Sequence, residues 1–239
     1  MTKQPYSWTE EILSPLGETA VIIQCGDQLS DAVQRRVMSV CALLEKSTLS
    51  AMIEWVPSYT SVTLFYDPFI SPYPELCRIL LQQLNQMKES VQDNKPRTVT
   101  IPVCYGGEWG PDLDYVASEH GLTPEDVIAI HTSGDYLVHM IGFAPGFPYL
   151  GGLSEQIATP RRATPRLRVE AGTVGIGGKQ TGIYPVDTPG GWQCIGRTPL
   201  RLFRPEENIP SLLVAGDRVR FKQITMQDYL ALKRKEGER

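Results

Sequence analysis

Residues 141–153, IGFAPGFPYLGGL, and residues 159–205, TPRRATPRLRVEAGTVGIGGKQTGIYPVDTPGGWQCIGRTPLRLFRP, decide how this chain folds. Eleven of its 21 glycines lie between Gly142 and Gly191. Such crowding implies backbone positions with positive φ, or backbone against which another group is pressed. From Tyr136 onward helix signals vanish. Short apolar pieces at 136–141, 168–171, 174–176, 193–195, 200–203 and 218–221 are separated by Gly and Pro turns. That alternation is the mark of a closed β-barrel, and loops of this composition are built to bind something.

Working outward, residues 99–103 read as a further strand. Asp112 or Asp114 is placed to cap a short helix around 115–120, and the T-P-E-D at 123–126 is a start signal for a second helix ending before Gly134. The polar stretch QDNKPR at 92–97 reads as a linker. Before it, 18–24 and 61–66 read as strands, with 51–56 a weaker one between them. Ser30 can cap a helix that places Val33, Val37, Val40 and Leu44 on one face, and Leu76, Ile79, Leu80, Leu84 and Met87 mark a second. The expected class is therefore α+β. A small α/β sandwich over 1–93, with its helices on one face of the sheet, precedes a β-barrel over 98–225 and a charged helical tail over 226–239.

The 239 residues, 41% hydrophobic and 21% charged, have the makeup of a soluble globular protein. The apolar runs are too short to span a bilayer, and MTKQPYSWTEE at the start lacks the apolar segment of a signal peptide. A cytoplasmic protein with no membrane partner is expected. The five cysteines, Cys25, Cys41, Cys77, Cys104 and Cys194, never fall in C-x-x-C spacing, so neither a disulfide framework nor a metal site is expected. The net charge is -4, yet residues 159–204 carry eight bases against two acids, which is +6 and leaves -10 for the rest. An acidic chain with one compact basic segment does not suit nucleic acid; it suits a small anion or an acidic partner.

Familiar catalytic motifs fail on their residues. In GTVGIGGKQT at 172–181, Thr173 stands where a phosphate loop needs glycine, and Gln180 follows Lys179 where that loop needs Ser or Thr. The same Gln180 occupies the last glycine position of a dinucleotide fingerprint. His120, His131 and His139 show no metal spacing, although His139 lies one strand-length before the Gly-Phe loop and is kept as a site candidate. The polar residues of the glycine-rich loops remain. Arg161, Arg162, Arg166, Lys179, Gln180, Thr181, Tyr184 and Arg197 are candidates to converge on one concavity that holds a carboxylate or phosphate, without an evident nucleophile.

The strings IPVCYGGEWGPDLDYVA, GFAPGFPYLGGL, TPRRATPR, GIYPVDTPGGW and IGRTPLRLF resemble the KipI family, whose members are also called allophanate hydrolase subunit 1 or the B subunit of 5-oxoprolinase. The resemblance runs from LSPLGETA at 13–20 to GDRVRF at 216–221. It implies that the barrel is cyclophilin-like. It also implies a non-autonomous subunit of an ATP-dependent 5-oxoprolinase, which opens 5-oxo-L-proline to L-glutamate together with A and C subunits of the KipA or allophanate hydrolase subunit 2 type. ATP is then used by the complex and need not be bound by this chain. The same resemblance implies a regulatory alternative, inhibition of the autophosphorylation of a sporulation histidine kinase, antagonised by a KipA-type partner. For that role Phe143, Phe147, Tyr149 and Leu150 are docking candidates. A third implication is a place in a urea carboxylase or allophanate pathway. Two positions depart from the family pattern: Glu170 stands where proline is expected and Gly177 where alanine is.

Overall fold

The structure, a computed structural model, describes residues 8–28, 30–87 and 97–237. The chain falls into two compact units, Met1–Lys95 and Pro96–Arg239. Apart from Arg97, the linker read at 92–97 lies outside the described residues.

The first unit runs β1 (Leu13–Pro15), β2 (Ala20–Gln24), α1 (Asp31–Glu45), β3 (Met52–Pro57), β4 (Ser61–Tyr66) and α2 (Tyr73–Gln86). Its four strands form an antiparallel sheet in the order β1-β2-β4-β3. Alternation builds it: Val62, Leu64 and Tyr66 of β4 are buried with Val21 and Ile23 of β2, and the same cluster takes Val33, Val37, Val40 and Leu44 from α1 and Leu76, Leu80 and Leu84 from α2. Both helices therefore cover one face of the sheet. Ser30 caps α1 by accepting a hydrogen bond from the Val33 amide at 3.3 Å.

The second unit contains β5 (Thr98–Tyr105), α3 (Leu113–Glu119), α4 (Pro124–Ser133), β6 (Tyr136–Ile141), β7 (Pro148–Gly151), β8 (Arg166–Val169), β9 (Thr173–Gly177), β10 (Gln180–Ile183), β11 (Thr188–Gly190), β12 (Gln193–Arg197), β13 (Arg218–Gln223) and α5 (Met226–Gly237). Seven strands close into a barrel in the order β10-β7-β6-β13-β5-β12-β9, as the glycine-punctuated sequence led one to expect. The β5–β13 pair is parallel and the other pairs are antiparallel. Ile101, Val103, Val138, Leu150, Val174, Ile176, Ile183, Ile195, Val219 and Phe221 fill the interior. Thr123 and Asp126 form the capping box that starts α4, as their spacing announced.

α4 delivers His131 into this core, where the imidazole is fully buried. Thr181 Oγ1 donates to Gly175 O at 2.9 Å, so it accepts from His131 Nε2–H at 3.0 Å, and Nδ1 is left to accept from the Tyr105 hydroxyl at 2.8 Å. The partners thus fix one neutral tautomer. Burial pushes its pKa down to about 3.

Three strand expectations change. The piece read at 168–171 begins earlier and leaves the barrel, because β8 pairs with β11 in a separate two-stranded ribbon. The piece at 200–203 is not a strand; Phe203 forms an isolated bridge with Ser211. Strands β1, β7, β10 and β11 come from Gly- and Pro-rich or very short segments that carry little period-2 signal.

Candidate functional site

Two strands with missing side chains make the floor of the site. Val174 and Ile176 of β9 and Ile183 of β10 point into the barrel, so Gly175, Gly177 and Gly182 turn bare backbone to the opposite face. A Cβ at Gly177 would lie 2.5 Å from Cε2 of Trp192, and one at Gly182 would lie 2.9 Å from Cζ of Phe147 and 3.0 Å from Cζ3 of Trp192. The two rings therefore rest directly on the peptide planes. Phe147 meets Trp192 edge to face at 5.5 Å, Tyr184 at 5.3 Å and Tyr149 at 5.0 Å between ring centroids. Phe143 closes the rim. It holds φ at 71°, a conformation costly for a bulky side chain, and is 62% exposed while its ring edges against Phe147 at 5.3 Å.

Above this floor the TPRRATPR segment arches back. The Arg162 amide donates to Gly191 O at 2.7 Å, tying the loop to the turn before β12. The result is a pocket of about 280 Å³ walled by Phe143, Tyr149, Arg161, Arg162, Tyr184 and Trp192. The Arg161 guanidinium stands 5.8 Å from the Trp192 ring centroid. Among the described residues no carboxylate lies within ion-pair distance of it. Arg162 Nη1 donates to Asp112 Oδ1 at 3.1 Å, and Arg166 grips the same carboxylate with both terminal nitrogens at 2.7 and 2.8 Å. Two cations thus share one acid while Arg161 has none in reach among the described residues, and the pocket keeps an excess of positive charge.

Burial, with lesser help from nearby Cys194, pushes the Tyr184 phenol up to about 12, so it enters the site as a neutral hydrogen-bonding group. Burial likewise raises the Cys194 thiol to about 11, against the opposing pull of Arg166. Cys194, buried behind the pocket lining, is consequently protonated at neutral pH and no thiolate nucleophile. The arrangement is chemically suited to a small anion whose flat or apolar body lies against aromatic rings.

The sequence candidates separate cleanly. Arg161, Arg162 and Tyr184 line the pocket, and Arg166 stands behind it on Asp112. Lys179 does not: it pairs with Glu155 at 2.6 Å, and both side chains are exposed. Gln180 follows the Gly178 turn of the β9–β10 hairpin and does not line the pocket. Thr181 faces the barrel interior on His131 and is fully buried, because the alternation that turns Gly182 toward the pocket turns Thr181 away. Arg197 pairs with Glu170 and stacks 5.0 Å from the Trp109 ring, which gives the departure at Glu170 a role as its counterion. His139 sits at a bulge of β6 under Gly151, buried and outside the pocket lining. Of the docking candidates, Leu150 belongs to the barrel core and Phe147 is almost fully buried, while Tyr149 is partly accessible and Phe143 exposed.

Sequence reading missed Asp112 as a site residue, treating it as a helix cap. It stands at the N-cap position of α3, but its side chain makes no cap hydrogen bond and turns to the arginines instead. Trp192 was missed as well, although three strand glycines opposite a tryptophan are a legible signal of close approach.

Comparison with known proteins fits this arrangement. The carboxyltransferase domain family, subdomain C and D, matches residues 12–213. A protein of Bacillus subtilis (strain 168) named as the B subunit of 5-oxoprolinase is 48% identical over 92% of this chain and 96% of its own, and one of the same name from Escherichia coli O157:H7 is 44% identical over 86% and 93%. The crystal structure of TTHA0988 superposes with a TM-score of 0.76 at 35% identity, covering 86% of this chain; this chain spans only 40% of that one. The urea amidolyase of K. lactis shares the fold at a TM-score of 0.74 and 18% identity, over 94% of this chain and 15% of its own. This chain belongs to the carboxyltransferase subdomain C and D family and, within it, to the proteins named as the 5-oxoprolinase B subunit.

Proposed function

We propose that this chain is the B subunit of an ATP-dependent 5-oxoprolinase and that its Arg161–Arg162 pocket receives the carboxylate of 5-oxo-L-proline. The observation that carries the reading is the Arg161 guanidinium, without an acidic partner among the described residues, held over Trp192 beside Arg162 in a pocket otherwise walled by rings. A five-membered lactam bearing one carboxylate matches both halves of that surface. The relatives that carry the 5-oxoprolinase name, similar over nearly their whole length, supply the reaction class.

A lactam is a poor electrophile. Transfer of the terminal phosphoryl group of ATP to its carbonyl oxygen releases ADP and activates the carbon; water adds there and the C–N bond opens to γ-glutamyl phosphate, which a second water hydrolyses to glutamate and inorganic phosphate. This chain contributes orientation and charge. Arg161 and Arg162 hold the carboxylate, Tyr184 offers a neutral hydroxyl, and the rings of Phe147 and Trp192 keep water from the apolar edge. Phosphoryl transfer falls to the A and C subunits, since the glycine run at 172–181 is spent on the β9–β10 hairpin and is followed by no helix. Cytoplasmic location is part of the same reading; among the described residues no helix is long and apolar enough to cross a membrane.

Regulation of a histidine kinase draws less support, because two of the four side chains proposed to dock it are committed to the interior. The testing experiment is purification of this chain with the A and C subunits and an assay of ATP-dependent glutamate release from 5-oxoproline. Omission of this chain abolishes turnover; undiminished turnover without it overturns the proposal.

A further inference from the structure

Asp112 is joined to β12, the strand that follows Trp192 of the pocket lining, more thoroughly than any helix cap requires. Its amide donates to Cys194 O at 2.9 Å, and its Oδ2 accepts from the Cys194 amide at 2.7 Å, so one residue mimics both halves of a strand pairing with β12. It does so where β12 is irregular, between Cys194 and Gly196. The preceding loop is clamped to the same place: the Gly106 amide donates to Ile195 O at 3.1 Å, and a Cβ on Gly110 would lie 2.1 Å from that oxygen. The side chain so fixed is 7% exposed. Its remaining acceptor capacity goes to Arg166, gripped at two points, and to Arg162.

We infer that Asp112 is the positioning residue of the anion pocket: it fixes the Arg162 guanidinium at the wall through its own carboxylate and steadies that carboxylate with Arg166. It does not touch the bound anion. Arg162 donates one terminal nitrogen to Asp112, and its backbone is fixed by Gly191, so the guanidinium has one well-defined direction in which to present its other N–H groups. Arg161 has no such carboxylate anchor among the described residues and rests on Trp192. The pocket therefore pairs one fixed cation with one adaptable one. The carboxylate also offsets part of the charge of two arginines, which favours a monoanion over a more highly charged ligand.

The inference rests on the 5-oxoprolinase reading for its kinetic readout and on geometry for its structural one, so the two fail separately. Asp112→Asn keeps the shape and an acceptor for the Cys194 amide but turns an NH₂ group or a neutral oxygen toward the arginines. In the assembled complex the KM for 5-oxoproline rises about tenfold or more while kcat stays within about twofold, because ground-state and transition-state binding are lost together. An unchanged KM, or a loss confined to kcat, overturns the inference. Should Asp112→Asn not fold, Arg166→Gln, which removes the steadying partner without touching the pocket lining, shifts KM in the same direction; an unchanged KM there overturns it equally. If the wild-type complex does not act on 5-oxoproline, the functional reading fails, and a crystal structure of either variant still decides the inference. An Arg162 guanidinium displaced from its wild-type place supports the inference, and one that has not moved refutes it.

Discussion

Replacing Gly177 by alanine asks whether the pocket floor is as tight as the geometry says. The new methyl carbon would sit 2.5 Å from Cε2 and 2.6 Å from Cδ2 and Nε1 of Trp192, about 1 Å closer than ordinary contact. The indole cannot simply lift away. Its Cζ3 edge lies over Gly182, Phe147 abuts it at 5.5 Å, and the Arg161 guanidinium stands 5.8 Å from it. Overpacking of this kind costs about 1–3 kcal/mol, which for a unit of this size lowers the melting temperature by roughly 2–10 °C. The second consequence is functional. Moving Trp192 moves the platform beneath Arg161, so affinity for the anion falls along with stability. Calorimetry of the chain, in which the two units are resolved as separate transitions where they unfold separately, reads the first effect, and the KM of the assembled complex reads the second. An unshifted melting temperature together with an unshifted KM would show that Trp192 does not rest on Gly177. The family pattern expected alanine here, so the result also tells whether this chain's tryptophan lies closer to its sheet than that pattern allows.

Three further outcomes follow from the same geometry. His131, buried neutral with its pKa near 3, takes up no proton on folding, whereas the unfolded chain protonates near 6.5; stability therefore rises with pH between these values. Between pH 7 and pH 5 the barrel unit loses about 2 kcal/mol, measured by urea unfolding, and His131→Gln flattens that slope; an equal slope in the variant contradicts the assignment. Asp217, 3% exposed, accepts from Arg97 and from the Val214 amide at 2.9 Å, so Asp217→Ala lowers the stability of the barrel unit by about 1.5–3 kcal/mol, and no measurable loss would mean that these bonds contribute nothing net. Cys194, with its thiol raised to about 11, resists iodoacetamide in the folded chain at pH 8, and mass spectrometry finds it modified only after unfolding; rapid native labelling would contradict its burial.

Elements whose own side chains dictate them were legible in the sequence. Ser30 and Thr123 announce helix starts, and the spacing of Val33, Val37, Val40 and Leu44 announces the buried face of α1. The barrel was legible as a class, from glycine punctuation, but its membership was not. β10 is QTGI and β11 is TPG, and each is a strand because a neighbouring strand supplies its hydrogen bonds, with little propensity of its own. The site divides in the same way. Arg161, Arg162 and Tyr184 were found because local composition pointed to them, whereas the alternation that sends Thr181 inward depends on a register no composition reveals. Asp112 could not be told from an ordinary cap, since its partners at Arg162, Arg166 and Cys194 lie 50, 54 and 82 residues away.

The central claim, that an anion pocket on this chain serves 5-oxoproline cleavage within a larger assembly, is tested most directly by the steady-state kinetics of the reconstituted three-subunit complex carrying Arg161→Ala. Removing this cation raises the KM for 5-oxoproline about tenfold or more, corresponding to roughly 1.4 kcal/mol of lost binding, while the complex still assembles and the wild type turns over only with ATP present. A variant complex with wild-type KM and kcat would contradict the account, for it would leave the pocket without a part in the reaction.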